Sequence, residues 1–88
     1  MTKAKAKKLD PVRLKEVADQ IAEFGENPTH PDLINRLTQE EGLKTTKPSK
    51  KQPQWTARMH GINAAGFSLG NALTNWANRA RREALQAG

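Results

Sequence analysis

The clearest element of this sequence is SLGNALTNWANRARREALQ, residues 68–86. At 100° per residue its apolar side chains fall within about 140° of arc, which is the width of a helical stripe that faces a core. This stripe consists of Leu69, Ala72, Leu73, Trp76, Ala77, Ala80 and Ala84. Ser68 is a favourable N-cap because its hydroxyl oxygen can accept a hydrogen bond from an unpaired amide of the first turn. The segment therefore predicts an amphipathic helix over residues 69–86.

The opposite face of this helix carries an unusual set of polar side chains. Asparagine is a mediocre helix former, so several asparagines on one face are not what helix propensity alone would select. Asparagine can pair with the edge of adenine in the major groove, and arginine can read guanine or hold phosphate. We therefore predict base contacts from Asn71, Thr74, Asn75 and Asn78, and phosphate contacts from Arg79, Arg81 and Arg82. The alternative interpretation is a solvated face whose C-terminal arginines complement the helix dipole.

Two shorter helices are predicted in the first half of the chain. Asp10 and Pro11 combine a favourable N-cap with a proline at the first helical position. Apolar residues then recur at helical spacing until about Phe24, at Leu14, Val17, Ala18, Ile21 and Ala22. A second helix is expected to begin near Thr29 or His30, with Pro31 in its first turn, and to end at Gly42. Its inward residues are Leu33, Ile34 and Leu37.

The segment between the second and the last helix is rich in lysine and proline. Residues 43–54 predict an exposed loop, because they offer no large apolar residue after Leu43. Its lysines would either contact phosphate or simply be solvated; they are Lys44, Lys47, Lys50 and Lys51. Residues 52–61 predict a short third helix with Gly61 as its left-handed cap, and Arg58 on this helix is a further candidate phosphate contact. Residues 61–68 then form a turn.

Together these elements predict an all-α fold of three to four helices that resembles a helix-turn-helix. We expect a flexible basic arm over residues 1–8 and a single helical domain over residues 9–88. Within that domain an acidic helical hairpin (9–42), a basic loop (43–54) and a basic helical part (55–88) follow one another. Two arrangements fit, because either residues 55–60 or the helix from Pro31 to Glu41 could support the last helix.

The composition limits what this fold can do. Leu, Ile, Val and Phe together supply 15 of 88 residues, against 12 alanines, so the core must be thin. The net charge of +6 divides into +4 over residues 1–8, −5 over 9–42 and +7 over 43–88. A basic half of this kind favours a polyanionic partner. The absence of cysteine excludes disulfides and thiolate zinc sites.

The sequence offers little support for catalysis, a cofactor or a membrane. His30 and His60 lie in different elements, without the patterned carboxylates that would complete a metal site. No glycine-rich phosphate loop is present, and no apolar run approaches the length of a membrane span. The basic N-terminus is not followed by the apolar stretch of a signal peptide. We therefore expect a cytoplasmic protein that is not an enzyme and has no membrane partner.

Three short segments carry a resemblance to a known family. They are VADQIAEFG at 17–25, the Pro28-Thr29 pair followed by DLINRL at 32–37, and GFSLGNALTNW at 66–76. They are similar to the N-terminal DNA-binding domain of KfrA-type plasmid proteins, over residues 12–80 if residues 43–65 are an insertion. That family shows a helix ending in Gly, a Pro-Thr helix start and a Gly-x-Ser turn before a helix with Leu and a final Trp. The resemblance implies DNA binding in a plasmid or phage setting.

The leading functional hypothesis is a small, sequence-specific protein that binds double-stranded DNA and regulates transcription in a phage or plasmid. The helix over residues 69–86 would read the major groove, and a homodimer would suit a palindromic site. The alternative is a phage or plasmid protein that binds and inhibits a host nucleic-acid-processing protein through its acidic or basic face. The net charge of −5 over residues 9–42 is the feature that supports this alternative.

Overall fold

The chain folds into two helices, three strands and a final helix over residues 10–25 and 28–87, which the computed structural model describes. The elements are α1 (Pro11–Glu23), α2 (Pro31–Glu41), β1 (Lys44–Thr46), β2 (Trp55–Met59), β3 (Ile62–Gly66) and α3 (Leu69–Ala87). The strands form one antiparallel sheet in the order β1-β2-β3. The all-α prediction is therefore wrong, and with it the helix-turn-helix outline. The predicted basic arm lies outside the described residues.

The three helices form where the sequence predicts them, because their ends are encoded locally. The Asp10 carboxylate accepts hydrogen bonds from the amides of Val12 and Arg13 at 3.1 and 3.3 Å. Nδ1 of His30 accepts one from the amide of Asp32 at 3.1 Å. Gly42 ends α2 with a φ of 71°, the left-handed conformation that glycine adopts without steric cost. These caps satisfy backbone groups that every helix end leaves unpaired.

The predicted third helix is instead a strand and a turn. In residues 55–59, Ala57 and Met59 are fully buried on the face toward α3, whereas Thr56 and Arg58 lie on the other face, Thr56 buried and Arg58 exposed; this is the side-chain period of a strand. His60 and Gly61 have φ values of 51° and 78°. Positive φ at both central residues is the requirement of a two-residue type I′ hairpin turn. Gly61 is thus left-handed as predicted, but it closes a hairpin rather than ending a helix.

The predictions of a loop over residues 43–54 and of a turn over residues 61–68 are also wrong in part, because each segment contains a strand. The start of the predicted basic loop forms β1, whose residues Lys44, Thr45 and Thr46 pair with Arg58, Ala57 and Thr56 of β2. The predicted turn over residues 61–68 contains β3, which pairs with β2 from Met59↔Ile62 to Trp55↔Gly66. Both segments are short and carry few large apolar residues, so only their pairing with β2 makes them strands.

The core lies between α3 and one face of the sheet, with α1 packed on another side of α3. Small residues allow this close packing in a chain with few large apolar side chains; they are Ala57, Ala64, Ala72, Ala77 and Ala80. Trp76 is fully buried at the centre, and its Nε1 donates to the carbonyl oxygens of Met59 at 3.3 Å and Ile62 at 3.1 Å. One side chain of α3 therefore fixes the closed end of the β2-β3 hairpin.

Gly66 marks the closest approach between the sheet and α3. A Cβ atom at this position would lie 2.6 Å from the amide nitrogen of Ala72 and also against the side-chain oxygen of Asn71. Because backbone cannot move aside as a flexible side chain can, only glycine fits here. The Gly66 end of β3 is consequently held directly against the first turn of α3.

A buried carboxylate joins α1, α2 and the hairpin turn. The side chain of Glu41 is only 1% exposed, and its carboxylate is paired with the guanidinium of Arg13 and lies 2.8 Å from Nε2 of His60. Nε of Arg13 also donates to this carboxylate, at 3.0 Å. Burial lowers the pKa of His60, and the positive charge of Arg13 lowers it further against the opposing effect of Asp10. A neutral imidazole can donate Nε2–H to the carboxylate, whose charge Arg13 already balances.

Candidate nucleic-acid interface

The face of the sheet turned away from α3 is polar and basic. Strand alternation brings six side chains to it, namely Lys44, Thr46, Thr56, Arg58, Asn63 and Ala65. With Gln52 of the β1-β2 connection, most of them line a shallow depression of about 300 Å³. We call this surface the basic sheet face. It unites residues that the sequence distributes over a predicted loop, a predicted helix and a predicted turn.

A row of cations crosses the basic sheet face. Lys44 lies directly opposite Arg58 in the β1-β2 pair, and Arg58 lies opposite Asn63 in the β2-β3 pair. Nη1 of Arg79, from α3, donates to the carbonyl oxygen of Asn63 at 2.9 Å and brings a third positive charge to the end of the row. We call Lys44, Arg58 and Arg79 the cation row. Three of the predicted phosphate contacts therefore lie along one line.

Among the described residues, the cation row has no acidic partner. Like charges directly opposite each other on a sheet are destabilising. Within residues 10–25 and 28–87, none of the three cations forms an ion pair with an aspartate or glutamate. The arrangement costs the isolated protein stability, and an external anion bound across the row would remove that cost.

The β1-β2 connection adds further positive charge beside the depression. The amide of Ser49 donates to the carbonyl oxygen of Gln52 at 2.7 Å, and the amide of Gln52 donates to Oγ of Ser49 at 3.2 Å. These two bonds close a tight turn with Lys50 and Lys51 at its tip. Both lysines and Lys47 are exposed. Lys50 and Lys51 are thus presented by a closed turn next to the basic sheet face, and Lys47 lies just before that turn.

Two of the three asparagines of α3, Asn71 and Asn75, bind backbone groups at the edge of the sheet, a role not predicted from the sequence. Oδ1 of Asn71 accepts the amide proton of Phe67 at 3.2 Å, and Nδ2 of Asn75 donates to the carbonyl oxygen of Ala65 at 2.8 Å. Arg79 continues the series on Asn63. Residues four apart on a helix are separated by about 6.0 Å, and residues two apart on a strand by about 6.6–6.8 Å. The two repeats match closely enough for three successive contacts, which we call the edge ladder.

The side chains of the edge ladder form hydrogen bonds with backbone groups that have no partner within the sheet. β3 is an edge strand, and Met59 and Ile62 close the hairpin as a hydrogen-bonded pair. Hydrogen-bonded and non-hydrogen-bonded pairs alternate along an antiparallel ladder, so the backbone N–H and C=O groups of Asn63 and Ala65 point away from β2. Side chains of α3 cover them, as natural proteins commonly cover sheet edges. The spacing of positions 71, 75 and 79 beside alternating positions 63, 65 and 67 is the sequence signal for this arrangement.

The remaining predicted contacts on α3 divide into two groups. Arg81 binds Asp19 of α1 at 2.8 Å, and this bond, followed by the one from Lys15, lowers the pKa of Asp19. Thr74, Asn78 and Arg82 are exposed, and in the described part of the chain they contact no protein partner. They are four residues apart and form one ridge, which we call the α3 ridge. Of the four predicted base contacts, Thr74 and Asn78 are therefore available, whereas Asn71 and Asn75 are engaged in the edge ladder.

Three acidic residues of the acidic half are engaged in ion pairs within the protein. Glu41 is buried with Arg13, Asp19 is bound by Lys15 and Arg81, and Glu16 lies 3.2 Å from Nη1 of Arg13. The three acids belong to α1 and α2, and no acidic residue lines the depression on the basic sheet face. The sequence separates the two charges along the chain, and the fold separates them in space.

Two other kinds of feature are absent from the described residues. No three His, Asp or Glu side chains there come together as a metal site, and no described helix is both long and apolar enough to cross a membrane. No protein-family model matches the chain, and no curated protein or solved structure matches it at a significant level. The resemblance to KfrA-type domains accordingly stays a prediction.

Proposed function

We propose that this protein binds double-stranded DNA and acts in the cytoplasm as a small regulator of a phage or plasmid. The observation that supports this proposal best is the cation row, in which Lys44 and Arg58 face each other and pair with no acidic side chain of residues 10–25 and 28–87. A phosphodiester backbone supplies anions at regular spacing, so one strand could neutralise several of these charges. The loop lysines extend the same contact surface.

Sequence preference is assigned to the α3 ridge, which belongs to the helix on the other side of the sheet from the basic sheet face, so the two surfaces would contact different segments of the DNA. Thr74 and Asn78 are exposed on α3, and Asn78 carries both a donor and an acceptor for a base edge. Arg82 follows one turn later and would contact phosphate or guanine. Dimerisation belongs to the same proposal, because two copies would double these contacts on a palindromic site. The internal pairing of Glu16, Asp19 and Glu41 leaves less acidic surface for a host protein, so the DNA proposal is preferred.

The salt dependence of binding tests this proposal. Six cations are available on the basic sheet face and its loop, namely Lys44, Lys47, Lys50, Lys51, Arg58 and Arg79. If all six contact phosphate, log K should fall with log salt with a slope of about −5. A fluorescently labelled duplex titrated at several salt concentrations between about 50 and 200 mM gives this slope. A flat dependence, or no binding at the lowest salt, would contradict the proposal.

Charge-removing variants locate the surface. The double variant Lys44→Gln with Arg58→Gln should weaken binding to all duplex sequences alike and reduce the magnitude of the slope by about two. Arg36→Gln is the matched control, because Arg36 is an exposed arginine of α2 on the acidic half. It should leave the slope nearly unchanged. Because the double variant removes two charges and the control removes one, an effect of Arg36→Gln half as large as that of the double variant would show that the net charge, and not the basic sheet face, governs binding.

A further inference from the structure

Phe67 is exposed at the end of the basic sheet face. Of the four aromatic side chains, Trp76 is buried, Phe24 and Trp55 are partly buried against the core, and Phe67 is 83% exposed. Phe67 directly follows β3 and continues the alternation that places Asn63 and Ala65 on the open face. A large apolar ring is therefore displayed beside a surface that is otherwise polar and basic.

The backbone that carries this ring is held firmly. The amide of Phe67 donates to Oδ1 of Asn71, and Gly66 before it lies against the backbone of α3 with no room for a Cβ atom. The amide of Asn71 in turn donates to Oγ of Ser68 at 3.0 Å. Because of these contacts the ring is presented from an ordered part of the fold, and binding would not have to order this backbone first.

The position of Phe67 relative to the cation row fits a nucleic-acid strand. Four residues separate it from Asn63, which corresponds to about 13 Å along an extended strand. The small side chain of Ala65 lies between, so nothing bulky on β3 separates the two. A DNA strand whose phosphates contact the cation row could therefore bring one of its bases to the ring.

We propose that Phe67 is a stacking site for an unpaired base of the bound DNA. The proposal rests on the DNA binding proposed above and specifies which form of DNA the surface prefers. An aromatic ring stacks on any base through its π-face, but only if the base is free of its own stack. A perfect duplex offers few such bases, whereas a bulge or a locally opened segment offers several. The protein should consequently bind DNA with unpaired bases more tightly than perfect duplex.

Two DNA probes with identical ends test the proposal, one fully paired and one with a short central bulge of unpaired thymidines. The Phe67→Ala variant should lose about 5- to 150-fold in affinity for the bulged probe, which is the range for loss of one base–aromatic stack. Its affinity for the paired probe should change less than about two-fold, because the cation row is intact. Leu85→Ala is the matched control, since Leu85 is 82% exposed but lies near the end of α3, away from the sheet.

A fluorescent reporter gives an independent reading. Phe67→Trp would introduce an exposed indole in addition to those of the partly buried Trp55 and the buried Trp76. The bulged probe should quench the fluorescence of the variant more than the paired probe does. The variant should bind the bulged probe as tightly as the wild type does. Equal quenching by both probes, or equal losses for both probes in Phe67→Ala, would overturn the stacking site.

The outcomes separate this inference from the proposed function. Salt-dependent duplex binding with no effect of Phe67→Ala on the bulged probe would overturn the stacking site alone. Failure of both probes to bind would overturn both proposals. A change in oligomeric state for Phe67→Ala, with unchanged DNA affinity, would assign the exposed ring to self-association instead, and sedimentation of the free variant would reveal it.

Discussion

Two asparagines of α3, one turn apart and both exposed, should respond in opposite ways to replacement by alanine. Nδ2 of Asn75 donates to the carbonyl oxygen of Ala65 at 2.8 Å and lies 3.3 Å from Oδ1 of Asn71. Asn78 contacts no protein group within the described residues. The pair thus compares the same substitution in the same helix, with and without a contact to the sheet edge.

The magnitudes follow from helix propensity and hydrogen bonding. Alanine is a better helix former than asparagine by about 0.6 kcal/mol, so Asn78→Ala should raise the free energy of unfolding by about that amount. Asn75→Ala gains the same propensity but loses a hydrogen bond with a net value of about 1 kcal/mol. It should therefore lower the free energy of unfolding by about 0.4 kcal/mol. The two variants should differ by about 1 kcal/mol, or by about 4–8 °C in Tm for a domain of this size.

Thermal unfolding followed by circular dichroism, with urea unfolding as a second measure, is sufficient to resolve this difference. Asn71→Ala should be more destabilising than Asn75→Ala, because Oδ1 of Asn71 accepts the amide proton of Phe67 at the half-buried start of α3. If Asn75→Ala and Asn78→Ala raise Tm equally, the edge ladder contributes nothing and the asparagines are a solvated face. DNA binding by Asn78→Ala then shows separately whether the α3 ridge reads bases.

Two further predictions concern packing and pH. Gly66→Ala should destabilise the fold by about 1–3 kcal/mol in urea unfolding, because its Cβ would lie 2.6 Å from the amide nitrogen of Ala72. Gly70→Ala is the control; its Cβ would have Pro28 Cγ as nearest neighbour at 3.4 Å, so a neutral or stabilising effect is expected. The free energy of unfolding should fall as the pH drops from about 7 to 5.5, because the lowered pKa of His60 means that the unfolded chain binds more protons there. His60→Asn, which tolerates the positive φ, should flatten that dependence; an unchanged slope would assign it to other groups.

The sequence was sufficient to place the helices because their determinants are local. Caps at Asp10 and His30, the left-handed Gly42 and a period of 3.6 residues all act within one or two turns. The same methods misplaced residues 52–66. Five-residue segments such as WTARM and INAAG are too short for the helical and strand periods to be told apart, and their separation by two residues, which is typical of a hairpin, was interpreted as a helix cap and a turn.

The candidate site was predictable in composition but not in arrangement. The sequence identified Lys44, Arg58 and Arg79 as separate phosphate contacts in three elements. Their alignment depends on the register of two strand pairs and on the contact between α3 and Asn63. None of these can be read from neighbouring residues, since strand pairing joins positions that are distant along the chain.

What the sequence by itself determined is therefore the positions of the helices, the excess of positive charge in the second half and the absence of cysteine chemistry. What only the tertiary structure decided is the use of the polar residues on α3. Asn71 and Asn75 form their hydrogen bonds only because β3 lies beside them with outward-facing backbone groups. A side chain's role depends on the partner it meets, and these partners come from a strand whose existence depends on pairing with β2.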